Sequence, residues 1–333
     1  MSATMEAIVI TKFGGPEVLE HKQVPRPTAA PGEVLLRVKA FGLNHAELHM
    51  RRGEWDEWDP ISGIECVGVV ESSSPPSSSE LFPTGATAVA VMGGMGRNRP
   101  GSYGELVSVP AANVAVVRRP AGLRWEDLAA LPEAYCTAWS CLFSVLDLRP
   151  GERLLVRGAT STLGQAALHL AVDAGAEVTA TTRREPRLEV LRGMGAAEAR
   201  LEGPGFADGF DRPPRFDKVL NLVGNSVLLE SVGLARPGGR VLQAGWLGGL
   251  EPLDGFNPML QMETGVHFSL FHSKVLGGPD FPLKGIPLQD IVDKIARGGW
   301  DAKPARVFEY GAIREAHRLL DSHDAGGKIV VKH

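Results

Sequence analysis

The sequence predicts an α/β protein in which a β-rich region is joined to a doubly wound parallel sheet. Residues up to about 120 contain short strand candidates separated by Gly and Pro, which is typical of an all-β region. From about Trp125 strands and helices alternate, which indicates a doubly wound parallel sheet. Within that part, residues 153–184 read as strand, tight turn, helix and strand, the first unit of a nucleotide-binding fold.

The β-rich region holds strand candidates and one short helix. The strand candidates are rich in aliphatic residues and cover 7–10, 33–40, 65–71 and 87–92. The helical stretch, 43–52, carries several polar side chains. A Ser- and Pro-rich run over 71–83 predicts a solvated loop that is too short to link two domains.

The alternating region begins with a helical stretch, rich in Ala and Leu, over 126–146. The strands and helices predicted after it cover 153–157, 164–174, 177–182, 187–194, 218–223, 227–235 and 240–244. After about residue 275, amphipathic helices are predicted over 287–297 and 312–320, and a final strand over 327–332.

Composition excludes several classes of protein. A chain of 333 residues is long enough for two domains, and its formal net charge of -4 gives no electrostatic basis for binding nucleic acid or an anionic membrane. The three cysteines, Cys66, Cys136 and Cys141, form no CxxC pair, so neither a disulfide framework nor a thiolate zinc cluster is expected. With no run of 18 apolar residues and no signal-peptide pattern, we expect a cytoplasmic protein without a nucleic-acid or membrane partner.

The turn after the first strand of the alternating region retains part of a phosphate-binding pattern. Gly158 and Gly164 match the outer positions of G-x-G-x-x-G, while Ser161 and Thr162 fill the middle. Backbone amides at a helix N-terminus bind pyrophosphate, and hydroxyls can bond to phosphate or cap the helix. Other segments at predicted strand ends, 221–224 and 243–245, favour a bound nucleotide over a similar domain that binds none.

The second strand of this unit ends in Thr182, Arg183 and Arg184. A carboxylate at this place would accept the ribose hydroxyls of NAD and repel a 2′-phosphate, whereas hydroxyl and guanidinium groups favour the phosphate. The segment therefore predicts NADPH, and hence an oxidoreductase. We favour Arg183 over Arg184 as the partner of the phosphate, the alternative being a solvated helix start.

Short motifs along almost the whole chain resemble the medium-chain dehydrogenase/reductase superfamily, in its zinc-independent quinone oxidoreductase (zeta-crystallin-like) branch. Those motifs, in order, are 13–19, 31–38, 42–46, 63–70, 101–105, 131–139, 236–241 and 327–331. The resemblance implies a GroES-like catalytic domain over 1–122 and 275–333, interrupted by a Rossmann domain over 123–274. It also implies NADPH in the cleft between the domains and a homodimer joined through the Rossmann sheet around 266–275.

The residues expected to contact the cofactor follow from the phosphate-binding pattern and from the resemblance. Thr137 resembles a residue that faces the nicotinamide, with helix capping as its alternative role, and Lys328 resembles a lysine near the cleft. The full predicted set is Thr137, Gly158, Thr160, Ser161, Thr162, Leu163, Gly164, Thr182, Arg183, Arg184, Asn221, Val223, Gly245 and Lys328.

The zinc ligands of related dehydrogenases are replaced in this chain. The resemblance places those ligands at Asn44, at Ile64 and near Glu133. Asn and Ile cannot supply the thiolate and imidazole that a catalytic zinc needs, and residues 93–120, where relatives bind a second zinc, contain no cysteine. We predict no metal, with an unusual site of His45, His49 and Glu65 as the alternative.

Without a metal, hydrogen bonds must polarise the substrate. We predict that Asn44 donates to a substrate oxygen, unless it only stabilises a turn. His49 resembles the histidine of a proton relay in alcohol-dehydrogenase-like relatives, although Ala46 lacks the hydroxyl of that relay. His49 is thus a candidate proton donor, the alternative being an ordinary surface residue.

Aromatic residues are candidates for a wall around a small planar substrate: Trp55, Tyr103, Trp246 and Phe271. Their alternative role is in the core or at an interface. The sequence thus predicts a zinc-independent, NADPH-dependent reductase of quinones or α,β-unsaturated carbonyl compounds. The alternatives are a tailoring reductase of a specialised natural product and an NADPH-binding protein without turnover, such as a crystallin-like or redox-sensing protein.

Overall fold

The structure, a computed structural model, describes residues 3–75, 80–210, 216–249 and 251–333. The chain divides into two units, Met1–Cys136 with Ser273–His333, and Thr137–His272. The sequence analysis predicted the first boundary between the two domains after residue 122. The structure places it later because a helix that follows residue 122, Trp125–Ala129, packs on strands of the first unit.

The first unit is built on antiparallel strands, as its Gly- and Pro-punctuated sequence predicts. Numbered along the whole chain, its strands are β1 (Thr4–Ile10), β2 (Leu19–Pro25), β3 (Glu33–Gly42), β4 (Glu65–Ser73), β5 (Thr87–Val91), β6 (Leu106–Pro110), β7 (Val114–Val116), β14 (Arg306–Glu309) and β15 (Ile329–Lys332). β1 pairs with β2, and the other strands form a sheet in the order β14-β15-β3-β4-β5-β7, with β6 on β3. The predicted loop 71–83 is described in part, and its residues 76–79 lie outside the described residues.

The helices of the first unit flank this sheet or join its strands. They are α1 (His45–Arg52), α2 (Trp125–Ala129), the start of α3 (Pro132–Trp139), α8 (Leu288–Ala296) and α9 (Ile313–Asp321). The stretch predicted to be helical over 126–146 is largely helical, but it is divided: Pro132 begins a new helix after α2, and residues Ser140–Val145 form a π-helical turn. Proline lacks the N–H that would continue the preceding helix, which explains the interruption.

The second unit contains a parallel sheet in the order β10-β9-β8-β11-β12-β13, which confirms the predicted doubly wound architecture. Its strands are β8 (Arg153–Arg157), β9 (Glu177–Thr182), β10 (Glu198–Leu201), β11 (Phe216–Asn221), β12 (Ala235–Gln243) and β13 (His267–Leu270). Its helices are α4 (Thr162–Asp173), α5 (Leu188–Gly193), α6 (Leu228–Gly233) and α7 (Pro258–Gln261). None of the described helices combines the length and the apolar character needed to cross a membrane.

Candidate active site

Sheet pairing brings polar residues from distant parts of the sequence together in the first unit. Asn44 follows β3 and caps α1, Glu65 begins β4, and Lys328 directly precedes β15. Because β3 pairs antiparallel with both β4 and β15, the end of β3 lies beside the starts of the other two strands. This pairing assembles a buried polar cluster, which we call the Asn44 cluster: Asn44, Glu47, Glu65 and Lys328.

The Asn44 amide is held between a cation and an anion. Lys328 Nζ donates to Asn44 Oδ1 at 2.6 Å and also to Glu65 Oε1. Asn44 Nδ2 donates to the same Glu65 oxygen at 2.9 Å. Since an ammonium only donates and a carboxylate only accepts, these partners determine which way the amide faces. The backbone N–H of Glu133 donates to the other Glu65 oxygen at 2.8 Å.

Gly42 at the end of β3 leaves the space that this cluster occupies. A Cβ on Gly42 would overlap Lys328 Cε and the Glu65 carboxylate. Its backbone does not require glycine for a left-handed conformation, since it is not among the residues with positive φ. Close approach of the two charged side chains therefore explains this glycine.

Glu47 adds a second buried carboxylate to the cluster. Its Oε2 accepts from the Asn44 backbone N–H at 2.8 Å, which completes a capping box at the start of α1. Its Oε1 accepts from the Ile64 N–H at 3.3 Å. Burial raises the pKa of Glu47 to about 7, and the nearby Lys328 charge opposes that rise.

His49 lies on the same helix and is oriented by a carboxylate. Its Nδ1 bonds to Glu54 Oε2 at 2.5 Å, and its ring stacks on Trp55 with centroids 5.0 Å apart. Because the carboxylate accepts the Nδ1 hydrogen, Nε2 is the ring nitrogen left for proton transfer. Arg97 places its guanidinium carbon 4.6 Å from the Trp55 ring centroid.

The residues of the cluster do not fit a zinc ion. Lys328 Nζ contacts the oxygens of Asn44 and Glu65 that would have to act as ligands, and a divalent cation there would lie beside the ammonium. In the part of the chain that the structure describes, no group of three His, Cys, Asp or Glu residues is placed to hold a metal. His45, a ligand in the alternative zinc site, instead bonds to His323 at 3.1 Å.

The predicted phosphate-binding turn joins β8 to α4 in the second unit. Gly158 has a positive φ of 79°, and a Cβ on Gly164 would lie 2.5 Å from the Gly158 carbonyl oxygen. Glycine is therefore needed at both positions, for different reasons. The Ser161 hydroxyl donates to the Gly158 carbonyl at 2.9 Å and accepts from the Gly164 N–H at 3.1 Å, so it caps α4.

Beside this turn, β9 ends at the residues predicted to bind the 2′-phosphate. Thr182 is buried, and its hydroxyl oxygen is 3.5 Å from that of Thr160. The same oxygen accepts a hydrogen bond from the Arg184 backbone N–H at 3.2 Å. Arg183 and Arg184 are exposed. Thr162 and Leu163, in the first turn of α4, are half-buried.

Asn221 and Gly245 shape the neighbouring strand ends. Asn221 Oδ1 accepts from the N–H groups of Val223 and Gly224 at 3.0 Å, so this amide is committed to the turn. A Cβ on Gly245 would lie 2.6 Å from the Leu222 carbonyl oxygen. These residues set the backbone of the sheet edge where doubly wound folds bind ligands.

The structure assigns the predicted aromatic residues to different surroundings. Tyr103 is a correction: it lies in the core of the first unit, stacks on Phe41, and its hydroxyl bonds to His317 Nε2 at 2.8 Å. Trp55 instead lies beside His49. In the second unit Phe271 is buried and Trp246 is half-buried next to His272, while Thr137 is buried.

Sequence reasoning missed part of the first-unit site. Glu47 follows Asn44 at the spacing of a capping box, a signal that could have found it. Lys328, which the resemblance predicts to lie near the cofactor, contacts Asn44 and Glu65. Glu54 and Arg97 carry no pattern that distinguishes them from ordinary surface charges.

Two family models match the chain. The alcohol dehydrogenase GroES-like domain matches residues 30–119, inside the first unit, which confirms the GroES-like prediction. The family described as zinc-binding dehydrogenase matches residues 205–331.

Curated relatives extend this similarity. The chain is 31% identical over 249 residues to the synaptic vesicle membrane protein VAT-1 homolog of Rattus norvegicus, covering 72% of this chain and 59% of that protein. It is 29% identical over 303 residues to polyketide synthase GfsB of Streptomyces halstedii, covering 90% of this chain and 5% of GfsB. The chain therefore spans less than two thirds of the length of these relatives.

Solved structures share the fold over nearly the whole chain. An NAD-dependent alcohol dehydrogenase is 28% identical, with a TM-score of 0.79 and coverage of 99% of this chain and 100% of that chain. A Pseudomonas syringae quinone oxidoreductase (23%, TM-score 0.81) and mycobacterial Rv1454c complexed with NADPH (22%, TM-score 0.83) have the same coverage. Taken with the family models, the alcohol dehydrogenase match shows that the chain belongs to the medium-chain dehydrogenase/reductase superfamily.

Proposed function

We propose that this chain is a zinc-independent, NADPH-dependent reductase that delivers hydride to a quinone or an α,β-unsaturated carbonyl compound. The observation that carries the proposal is the contact of the Lys328 ammonium with Asn44 and Glu65, where related dehydrogenases bind zinc. Without a Lewis acid, conjugated acceptors are favoured because their developing charge spreads over several atoms, whereas an unactivated ketone concentrates it on one oxygen.

The second unit fits a dinucleotide. Gly158 and Gly164 bring the backbone close to the N-terminus of α4, where free N–H groups would hold the pyrophosphate. Thr182, Arg183 and Arg184 would bind the 2′-phosphate, and Rv1454c, which shares the fold, was solved with NADPH. The remaining predicted contacts are Thr137, Thr160, Ser161, Thr162, Leu163, Asn221, Val223 and Gly245. When bound, NADPH would supply the hydride.

Residues of the first unit would polarise the substrate and supply a proton. The second amide hydrogen of Asn44 has only a weak partner, since Asn44 Nδ2 lies 3.5 Å from Glu47 Oε1. Lys328 has a third N–H in addition to the two that donate to Asn44 and Glu65. Either group would donate to the substrate oxygen. His49, held by Glu54, would protonate the carbon next to the carbonyl from Nε2.

NADPH oxidation by the purified chain tests this function. We expect turnover with 1,4-benzoquinone, 3-penten-2-one and an enoyl thioester, the last because one relative is a polyketide synthase, and little turnover with 2-pentanone. NADPH should bind more tightly than NADH in a fluorescence titration. Stoichiometric zinc together with loss of activity on chelation, or equal binding of NADH, would contradict the proposal. Binding of NADPH without oxidation by any acceptor would indicate a binding protein instead.

We also propose that two copies associate through the parallel sheet. Among the described strands β13 pairs with β12 alone, and its Phe268 and Leu270 are exposed. Met259 and Leu260 in α7 are exposed as well. A second copy of β13 would satisfy the free backbone groups of this edge and cover its apolar side chains.

A charge on this edge should separate the two copies. We expect the wild-type chain to have the mass of a dimer in light scattering and Leu270→Lys to have that of a monomer, because a buried lysine opposes strand pairing. Val190→Lys, at an exposed position of α5, is the matched control and should stay dimeric. A monomeric wild type would refute the proposed dimer.

A further inference from the structure

The arginine side chains that are largely covered differ in how their N–H groups are used. Arg51 donates to Gly14, His317 and Asp321. Arg157 donates to the carboxylates of Glu202 and Glu230 and to two further oxygens. These two arginines have the partners that burial of a guanidinium requires, and their role is structural.

Arg97 lacks such partners. Its side chain is only 14% exposed, yet its guanidinium donates no hydrogen bond to any residue that the structure describes, and its Nε is buried. Glu57 is 3.6 Å away, is largely exposed, and is shared with Lys274 at the same distance. Burial lowers the pKa of Arg97, so the fold bears the cost of a partly desolvated cation whose buried Nε has no partner among the described residues.

A constrained loop presents Arg97 at this position. Met92, Gly93, Gly94 and Gly96 all have positive φ, and positive φ is uncommon for a methionine. The Asp59 N–H donates to the Gly96 carbonyl at 2.9 Å, which ties the loop to the segment after Trp55. Backbone conformation of this kind is found at sites that hold a group ready for a ligand.

Arg97 also lies against an aromatic ring that contacts a proposed catalytic group. Its guanidinium lies over Trp55, whose ring stacks on that of His49. The Glu47 carboxylate, which bonds to the Asn44 N–H, is close enough to raise the pKa of Arg97. The unsatisfied guanidinium thus neighbours the expected proton donor and the Asn44 cluster within the same unit.

We propose that Arg97 binds an oxyanion carried by the acceptor, a carboxylate or a phosphate, and so selects conjugated carbonyl compounds with an acidic group. A guanidinium matches either oxyanion with two parallel N–H groups, and stacking on Trp55 keeps its plane fixed. The inference rests on the proposed reductase function and adds to it the chemical class of the acceptor.

Matched acceptors test this selectivity. NADPH oxidation is measured with 4-oxopent-2-enoate, its methyl ester, and the corresponding enone phosphonate. The wild-type chain should prefer an acidic acceptor to the ester. In Arg97→Met the ratio of kcat/KM for the acid to that for the ester should fall about 10- to 100-fold, the range expected for charged hydrogen bonds. The acidic acceptor with the larger loss identifies the oxyanion. Arg118→Gln removes an exposed charge and should keep the wild-type ratio.

Binding and stability separate this inference from the proposed function. Calorimetric titration with saturated 4-oxopentanoate should show binding to the wild-type chain that Arg97→Met weakens, even if no acceptor is reduced. Arg97→Met should also unfold at the same or a higher temperature, because the Arg97 side chain donates no hydrogen bond to the described residues that the substitution would remove. A wild-type chain without preference for either acid, or an Arg97→Met variant with a lower unfolding temperature and an unchanged acid-to-ester ratio, would overturn the inference.

Discussion

Lys328→Met is expected to lower the free energy of unfolding by about 3–5 kcal/mol, the usual cost of leaving a buried charge without its partner. The charge left behind is the carboxylate of Glu65, which is fully buried. Lys332→Met is the matched control, since Lys332 ends β15, the strand that Lys328 directly precedes, and forms an exposed ion pair with Glu309 at 3.1 Å. The free energy of unfolding of the Lys332→Met variant should fall by less than about 1 kcal/mol. Urea unfolding of both variants measures the difference.

A second substitution separates stability from activity. In Lys328→Met with Glu65→Gln the buried charge is gone, so most of the lost stability should return. The kcat for acceptor reduction should stay at least about 10-fold below wild type, since one lost donor to a developing oxyanion commonly costs more than that. Asn44 would also lack the cation and anion that orient its amide. If Lys328→Met were as stable as Lys332→Met, Lys328 would not stabilise the buried carboxylate of Glu65. If the double variant had the wild-type kcat, Lys328 would have no role in reducing the acceptor.

Arg157→Leu is expected to destabilise the chain by a similar amount, about 3–5 kcal/mol, and to weaken NADPH binding. Arg157 ends β8 directly before Gly158 and pairs with Glu202 and Glu230. Glu202 also accepts from the Thr181 hydroxyl at 2.7 Å, and that hydroxyl oxygen accepts from the Gly158 N–H at 3.1 Å. The arginine therefore anchors the turn as well as the fold.

Arg153→Leu provides the control for this prediction. Arg153 lies in the same strand, is partly exposed, and approaches Glu177 only to 3.8 Å, so its removal should cost less than about 1 kcal/mol. Urea unfolding and an NADPH fluorescence titration give both quantities. If Arg157→Leu kept the NADPH affinity and the unfolding midpoint of Arg153→Leu, the anchoring role would be wrong.

Local patterns predicted the elements well where a single signal dominated. The stretch 43–52 was predicted as a short helix and is α1, which Asn44 caps and Gly53 ends with a positive φ of 72°. The span 126–146 was predicted as helical because it is rich in Ala and Leu. The structure divides this span at Pro132, because proline lacks the backbone N–H that would continue the preceding helix, whatever the helix propensity of the neighbouring residues.

The glycine turn between β8 and α4 was located correctly, and the sequence left two roles open for the Ser161 hydroxyl. The spacing of Gly158 and Gly164 is a local property that follows from how closely a backbone can approach. Whether the Ser161 hydroxyl faces a phosphate or caps α4 depends on the turn geometry, and in this structure it caps the helix. Only the folded turn could distinguish the two roles.

The amino-acid sequence by itself determined the two architectures, the glycine turn and the absence of thiolate and imidazole at Asn44 and Ile64, because each is encoded in residue types or in spacing along the chain. Tertiary structure alone decided that Lys328 meets Glu65, 263 positions away, and that the Arg97 guanidinium is largely covered yet donates no hydrogen bond to the described residues. Strand pairing and burial bring together groups that share no local pattern, so their charges act on one another only after the chain has folded.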